Sequence, residues 1–439
     1  MDTGLVLFFG LVVAYTLVAL WLGRFSITMP MVFVIVGALT GSHALGWIQF
    51  SLTAPDIERL TEVTLALLLF ADASTLNFNQ VKEDANLPGR LLLIGLPLII
   101  LLGGLTAFIL FPGEEIGFAL LMGTILAPTD AALGLPIFNN PRVPVRIRRA
   151  LNVESGLNDG IASPLVVLFI ALSLEEMAGL GGGIWLSSAV CEIVIGAGVG
   201  MLLGLAGGWL FRQAAEKNWT SNTARQIGNP ALALLVFIGA KSLHGNGFVA
   251  VFVAGILFGF ATRHLLHDAT EYTEISGTLL SLFVWTIFGA TLVIPLLQDF
   301  NIRAFIYALL SLTLVRILPV AIALIGTRMR MDTKLMMGWL GPRGLASVVF
   351  MIIAYEAATE AHVPTDNLLA MAGWTILLSV LLHGVSALPL ANWYARRLET
   401  ASPDSPELIE IPELRTKRRI PFSLHLPHPE DKPLARSKP

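Results

Sequence analysis

The sequence predicts an all-α, polytopic membrane protein with about thirteen transmembrane helices. Three observations support this fold class: the composition, the repeated apolar windows and the distribution of basic residues. Of the 439 residues, 55% are hydrophobic and only 13% are charged, and the mean hydropathy is +0.75. A soluble domain needs roughly a quarter of its residues charged. Lipid must therefore cover most of the exterior of this chain.

Apolar windows of membrane-spanning length recur along the chain. A bilayer core of about 30 Å needs about 20 mostly apolar residues in a helix. The first window has no basic residues before it and no clear small-residue cleavage site, which favours a spanning helix over a removable signal peptide. The predicted spans are about 4–22, 27–42, 58–77, 91–111, 116–137, 150–174, 184–211, 229–244, 247–262, 276–297, 303–326, 335–356 and 367–392.

The basic residues support this topology. With the N-terminus outside, most of those before residue 400 collect on one side: Arg24, Lys82, Arg90, Arg142, Arg146, Arg148, Arg149, Arg212, Lys217, Arg225, Arg263, Arg328, Arg330, Lys334, Arg396 and Arg397. Arg59, Lys241 and Arg303 fall on the other side. Because cytoplasmic loops carry an excess of Lys and Arg, we expect a cell (inner) membrane protein with a cytoplasmic C-terminus. The net charge of -3 gives no sign of a nucleic-acid partner.

Two regions are predicted, a transmembrane domain over residues 1–398 and a tail over residues 399–439. The tail is rich in proline, carries mixed charge and has no apolar period, so we expect it to be cytoplasmic and disordered. The single cysteine, Cys191, excludes an intrachain disulfide and a cysteine-based metal or redox site. We expect no cofactor.

The spans divide into six, a central linker helix at about 184–211, and six more, which predicts an inverted repeat. The fifth span of each half contains a proline beside a charged residue: Pro128 precedes Thr129 and Asp130, and Pro342 precedes Arg343. Proline removes a backbone donor and clashes with the preceding turn, so both spans should break near the bilayer midplane. An ordinary proline kink is the alternative. A charge beside each proline favours breaks with a function.

The predicted spans contain several ionisable residues. A charge at the bilayer centre costs at least about 2.5 kcal/mol, so each one needs a partner or a task. The acids are Asp72, Asp130, Glu154 and Asp159, and the bases are Arg316 and Arg343. If both bases are paired, acids remain that can bind an external cation or a proton.

The sixth span carries the richest set of polar side chains. Helical spacing places Ser155, Asn158 and Asp159 along one side, where Thr129 and Asp130 can join them from the broken fifth span. Hydroxyl, amide and carboxylate oxygens suit a hard cation such as sodium. Burial disfavours the charged carboxylate, so a proton would compete with the cation for Asp159.

The other acids have simpler interpretations. Glu154 lies near the cytoplasmic end of its span and can pair with Arg149 in a salt bridge. Asp130 can stabilise the N-terminus of a half-helix, where the dipole leaves about half a positive charge. Asp72 is the least determined of the four, as an accessory to the ion site.

Several motifs, in this order, resemble the monovalent cation/proton antiporters of the sodium/proton exchanger type, in particular the electroneutral Asn-Asp branch of bacterial and archaeal antiporters. The resemblance covers about residues 5–392. Its motifs are Thr129-Asp130 after the proline, Glu154-Ser155, Asn158-Asp159-Gly160, Leu314-Val315-Arg316, Gly341-Pro342-Arg343-Gly344 and Leu382-His383-Gly384.

The resemblance implies a fold and an assembly. It implies a core bundle over about 91–174 and 303–392, with two crossed broken helices, and a dimerisation or scaffold bundle over about 4–77 and 229–297. It also implies a homodimer in lipid that works by elevator-like alternating access.

The resemblance also implies roles for individual residues. Asp159 would bind the cation and the proton in turn, with Thr129 and Ser155 as further ligands. Asn158 stands where electrogenic relatives have an aspartate, which implies one proton per cation. Glu154 would pair with Arg316, and Arg343 would stabilise the helix crossing.

Asp72 departs from the family pattern. It is followed by Ala73 and Ser74 where the family has an acid followed by glycine, so its part in the ion site is open.

Other classes of protein fit less well. An intramembrane aspartyl protease would need a Gly-x-Gly-Asp element, which the sequence lacks, so we do not expect an enzyme. A channel would use the same oxygens without alternate occupancy. A carrier of an organic anion on a related inverted-repeat fold is the main alternative, because Arg343 and half-helix N-termini can bind a carboxylate. Acids outnumber bases within the spans, which favours a cation.

Overall fold

The structure, a computed structural model, describes residues 2–50, 52, 54–76, 86–130, 133–134, 140–177, 183–262, 267–399 and 405–409. These residues form helices and contain no β-strand. The helices of the first half and the linker are α1 (Asp2–Gly23), α2 (Met29–Thr40), α3 (Pro55–Thr75), α4 (Asn86–Leu110), α5 (Ile116–Ile125), α6 (Val145–Met177) and α7 (Ile184–Glu216). The second half contains α8 (Asn222–Ser242), α9 (Gly247–Thr262), α10 (His267–Phe288, continued to Gln298), α11 (Ile302–Ala323), α12 (Met331–Trp339), α13 (Leu345–Glu360) and α14 (Asp366–Leu398).

The helix order confirms the predicted fold class. Helices α12 and α13 flank residues 340–344 and together fill one predicted span, and each of the other named helices lies in a predicted span of its own. The predicted spans 229–244 and 247–262 are two separate helices, because residues 243–246 lie between α8 and α9. Helix α8 begins before the predicted residue 229, since the Ser221 hydroxyl accepts a hydrogen bond from the Ala224 N–H at 3.1 Å and caps the helix. Residues 131–132 and 135–139 lie outside the described residues, as do Lys82 and Arg263 of the topology prediction.

Two spans contain a π-helical turn, Leu91–Gly95 in α4 and Gly289–Val293 in α10. A proline follows each turn closely, Pro97 in α4 and Pro295 in α10. A proline has no N–H and crowds the preceding turn, and a widened turn accommodates it without ending the helix. Both spans therefore stay continuous, unlike the two that break.

Small residues bring the backbones of neighbouring helices together. A Cβ added to Gly200 or Gly204 of α7 would lie less than 3 Å from the backbone of Ala250 or Ala254 in α9. Gly123 of α5 meets the α4 backbone in the same way. Close backbone packing of this kind replaces the hydrophobic effect, which does not drive helices together in lipid.

The apolar helices differ in how much of their surface the chain covers. In the most apolar window, 17% of α1 and 22% of α7 are buried, against 67% in both α10 and α14. Helices α1 and α7 therefore present apolar side chains outward, whereas α10 and α14 are largely covered by the rest of the chain.

Part of the tail differs from the prediction of disorder. Residues Pro406–Leu408 form a 3-10 turn, and Arg146 of α6 donates a hydrogen bond to the Pro406 carbonyl at 2.7 Å. The prediction is wrong for this turn because its buried polar contacts hold a segment that has no apolar period. Residues 400–404 and 410–439 lie outside the described part of the chain.

Candidate ion-binding site

The two predicted breaks meet inside the protein. The backbone N–H of Asp130 donates a hydrogen bond to the carbonyl of Pro342 at 2.9 Å. The approach is so close that a Cβ on Gly344 would overlap the Asp130 side chain, and one on Gly341 would overlap the Arg316 side chain. A larger residue at either position would displace the charged side chain beside it. The broken helices are thus in direct contact at their interruptions.

Each break carries a charge that suits the helix end opposite it. The Leu345 N–H, at the start of α13, donates to Asp130 Oδ2 at 3.2 Å. The Arg343 Nη1 donates to the Ala127 carbonyl, just past the end of α5, at 2.8 Å. Helix N-termini attract negative charge and C-termini attract positive charge. The acid at the first break and the base at the second therefore cap each other's half-helices.

Small polar residues satisfy other backbone groups that the breaks set free. The Ser379 hydroxyl of α14 accepts from the Arg343 N–H at 2.6 Å and donates to the Arg343 carbonyl at 3.1 Å. The Ser347 hydroxyl donates to the Ile125 carbonyl at the end of α5 at 2.8 Å. Backbone polar groups in a membrane need partners of this kind. The backbone groups of Arg343 and Ile125 at the two breaks are accordingly hydrogen-bonded within the protein.

The side chains of α6 meet the first break. The Ser155 hydroxyl donates to the Thr129 carbonyl at 2.5 Å, and Asn158 Nδ2 donates to Thr129 Oγ1 at 2.6 Å. Thr129, Ser155 and Asn158 are all buried, and the Asn158 Oδ1 atom has no hydrogen-bond donor. Three of the four residues predicted for the ion site therefore form one connected cluster of oxygen atoms.

Asp159 lies next to this cluster on α6. Its Oδ1 atom is buried and meets no hydrogen-bond donor, and its carboxylate is within electrostatic range of Asp130 and Asp72. Asp72 comes from α3, which passes α6 so closely that a Cβ on Gly156 would lie 3.9 Å from the Asp72 Cβ. The structure thus brings three carboxylates near one another, with Asp72 at the edge of the site.

Glu154 has a different environment from Asp159. Arg316 Nη1 of α11 donates to Glu154 Oε1 at 2.6 Å, and both side chains are at most 3% exposed. Arg149, the other partner that the sequence allowed, is buried on α6, and its two terminal nitrogens meet no acceptor. Within the described residues the acid at this position is therefore bonded to Arg316 and not to Arg149.

Sequence reasoning missed the neutral side chains around the second break. Ser379 and Ser347 were not singled out, and His383 entered only as part of a motif. His383 Nε2 lies 2.8 Å from the Trp339 carbonyl at the end of α12, and its ring stacks on Trp339 with centroids 4.9 Å apart. A small polar residue or a histidine in an apolar span is the signal that would have found them, because each needs a partner in lipid.

Helices that break at mid-membrane and meet through buried charged residues are the construction of secondary transporters with inverted repeats. The fold and the site place this chain in that class of multi-pass membrane proteins. The family defined as the transmembrane region of sodium/hydrogen exchangers matches residues 9–393, and the chain belongs to this family.

Similar proteins include two that are named as cation/proton antiporters. The chain is 25% identical over 388 residues to the K(+)/H(+) antiporter NhaP of Alkalimonas amylolytica, covering 88% of this chain and 65% of that protein. It is 25% identical over 366 residues to the probable Na(+)/H(+) antiporter 2 of Methanocaldococcus jannaschii, covering 77% and 85% respectively. The chain thus spans just under two thirds of the length of the first of these relatives.

A solved structure has the same fold. The sodium proton antiporter MjNhaP1 from Methanocaldococcus jannaschii, solved at pH 8, superposes with a TM-score of 0.69 at 22% sequence identity. The match covers 85% of this chain and 98% of that one.

Proposed function

We propose that this chain is a secondary antiporter that exchanges a monovalent cation for protons, with both substrates competing for Asp159. The observation that carries the proposal is the buried Asp159 Oδ1, which no donor among the described residues satisfies, beside the polar cluster of Thr129, Ser155 and Asn158. A buried carboxylate that lacks a partner is costly, and either a cation or a proton relieves the cost.

The oxygens around Asp159 suit an alkali cation. Besides the carboxylate, the cluster offers the Ser155 hydroxyl and the hydroxyl and carbonyl of Thr129, all of which are hard ligands. We propose Na+ as the cation, with K+ or Li+ as alternatives, since the names of the similar proteins include both sodium and potassium. Exchange of this kind would serve pH and cation homeostasis and requires no covalent chemistry.

The neighbour of Asp159 sets the proposed stoichiometry. Asn158 is neutral and already donates to Thr129 Oγ1. With one titrating carboxylate in direct contact with the cation, binding of one monovalent cation releases one proton. We therefore propose electroneutral exchange, one proton for each cation.

Exchange also requires two parts that move relative to each other. We propose a transport bundle over about 91–174 and 303–392 and a scaffold over about 4–77 and 229–297, joined by the linker helix. Packing supports the division: α3 contacts α9 and α10, and α4, α5 and α6 pack in sequence. The outward apolar faces of α1 and α7 suit a homodimer in the cytoplasmic membrane, with the N-terminus outside and the tail in the cytoplasm.

An organic-anion carrier is less compatible with the geometry. Such a carrier would use Arg343 to bind a carboxylate, but Arg343 donates to the carbonyls of Ala127 and Ser311 at 2.8 and 3.4 Å. Its guanidinium is already engaged in holding the broken helices together.

Transport in proteoliposomes tests the proposal. The purified chain is reconstituted with a pH-sensitive dye inside, a proton gradient is imposed, and Na+, K+ and Li+ are added in turn. At least one cation should dissipate the gradient, and a membrane-potential clamp should not change the rate. If none of them does so, while an organic anion does, the anion carrier replaces the antiporter.

A further inference from the structure

In the tail segment 405–409 an acidic side chain is buried while its apolar neighbours are exposed. Glu407 is fully buried at 0% exposure, while the apolar Leu408 and Ile409 beside it are 38% and 54% exposed. A carboxylate is rarely fully buried unless a partner binds it. The turn is closed by the Leu408 N–H, which donates to the Ser405 carbonyl at 2.9 Å. This orientation cannot be explained by apolar packing of the tail, so the Glu407 carboxylate itself holds the segment.

The carboxylate lies at the start of α12. Glu407 Oε1 accepts hydrogen bonds from the Arg330 N–H at 2.7 Å and from the Thr333 hydroxyl at 2.9 Å. The N-cap residue of α12, Arg330, makes no side-chain cap of its own. Asp332 Oδ1 accepts from the Thr333 N–H at 2.9 Å. Glu407 adds a second acceptor at the first turn of α12 from a distant part of the chain, at the helix end where negative charge is favoured.

The contact joins three helices. Thr333 of α12 is also bonded to the Tyr394 hydroxyl of α14 at 3.0 Å, and Arg146 of α6 donates to the Pro406 carbonyl at 2.7 Å. Among the described residues no donor reaches the buried Glu407 Oε2. The carboxylate is therefore buried with only one of its two oxygens hydrogen-bonded. The guanidinium of Arg330 is occupied elsewhere, by Asp332 at 2.6 to 3.2 Å.

We propose that Glu407 is a positioning residue for exchange, a brace that fixes α12 against α6 and thereby sets the geometry of the second helix break. The other end of α12 leads to that break, where Trp339 is held by His383 and Gly341 packs on Arg316. Arg316 in turn holds Glu154, one turn of α6 before Asn158. Through these contacts, a shift of α12 would displace α6, the helix that carries Asp159. The inference rests on the proposed function for its transport readout.

The test compares Glu407→Ala with Glu407→Gln and with Glu399→Ala, an exposed acid at the end of α14. Alanine removes both bonds to α12, whereas glutamine keeps an acceptor oxygen at the Oε1 position. We expect the apparent KM for the cation to rise about three- to tenfold in Glu407→Ala, because loss of an acceptor at a helix N-terminus shifts a conformational equilibrium by about that factor. Glu407→Gln should restore most of the wild-type KM, and Glu399→Ala should not change it.

Amide hydrogen exchange provides a readout that does not depend on transport. The Arg330 amide, which Glu407 accepts from, should exchange faster in Glu407→Ala than in Glu399→Ala. If the wild type transports no cation, the proposed function fails, but faster exchange at Arg330 still shows the brace. If the wild type transports and Glu407→Ala changes neither KM nor amide exchange, the brace is refuted. A lower rate at unchanged KM that tracks loss of folded protein would likewise reduce Glu407 to a structural role.

Discussion

Two carboxylates on α6, Glu154 and Asp159, differ in their hydrogen-bond partners. Glu154 is bonded to Arg316 at 2.6 Å in a pair that is almost fully buried, whereas Asp159 Oδ1 is buried with no donor. The first acid is neutralised within the protein, and the second is not. One helix can therefore hold a buried ion pair and a carboxylate with an unsatisfied oxygen within two turns, and the partner rather than the residue type distinguishes them.

The largest effect should follow from Asp159→Asn. Asparagine keeps the size of the side chain but removes both the charge proposed to bind the cation and the group proposed to take up the proton. We expect cation-dependent proton movement in proteoliposomes to fall by at least about 100-fold. Asp299→Asn, at an exposed position after α10, is the matched control and should retain wild-type exchange. Full exchange by Asp159→Asn would exclude Asp159 as the shared site.

Glu154→Gln should act on stability instead. Removing one member of a buried ion pair leaves the other charge unpaired and costs about 3–5 kcal/mol. We expect a markedly lower Tm in detergent, and Glu154→Leu combined with Arg316→Met should recover much of the loss. Glu216→Gln removes a pair of the same kind from the surface, where Arg212 and Glu216 are 24% and 47% exposed, so its Tm should barely change. An unaltered Tm in Glu154→Gln would show that the Arg316 bridge is dispensable.

The sequence could predict the spans because their signal is strong and local. Apolar windows and the placement of basic residues indicated helices whose existence the structure confirms, and Pro128 and Pro342 marked both interruptions. The exact partners could not follow from periodicity, which gives the face of a helix but not its neighbour. Glu154 could equally have faced Arg149 or Arg316 by spacing, and only the resemblance pointed to Arg316.

The Glu407 contact was beyond sequence reasoning for a physical reason. A single carboxylate in a proline-rich, charged segment looks like any solvated acid. Its burial depends on the Arg330 N–H and the Thr333 hydroxyl at the start of a helix in a different part of the chain. Contacts between a tail and a distant helix end leave no periodic pattern to read.

Asn158→Asp tests the proposal that Asp159 is the one titrating group in direct contact with the cation. A second carboxylate beside Asp159 would add a second proton-binding group, so each cation should release about two protons. Exchange should then respond to membrane potential, measured by clamping the potential with a K+ ionophore during Na+-driven transport. Asn140→Asp, at a half-buried position before α6, is the control. Exchange by Asn158→Asp that ignores the potential would argue that the residue before Asp159 does not set the stoichiometry.

The smallest effect should come from Ser155→Ala, which changes the surroundings of Asp159 and leaves the carboxylate intact. The substitution removes a hydroxyl ligand and the bond to the Thr129 carbonyl. Loss of one hydrogen-bonding group is worth about 0.5–1.5 kcal/mol, or roughly a two- to twelvefold rise in the KM for the cation. Ser163→Ala is a close match, because Ser163 is also buried on α6 but bonds only to Gly160 of its own helix at 3.1 Å. A rise confined to Ser155→Ala would assign the hydroxyl to the cation site, whereas equal values for both variants would leave Asp159 and Thr129 as the only ligands among the residues proposed here.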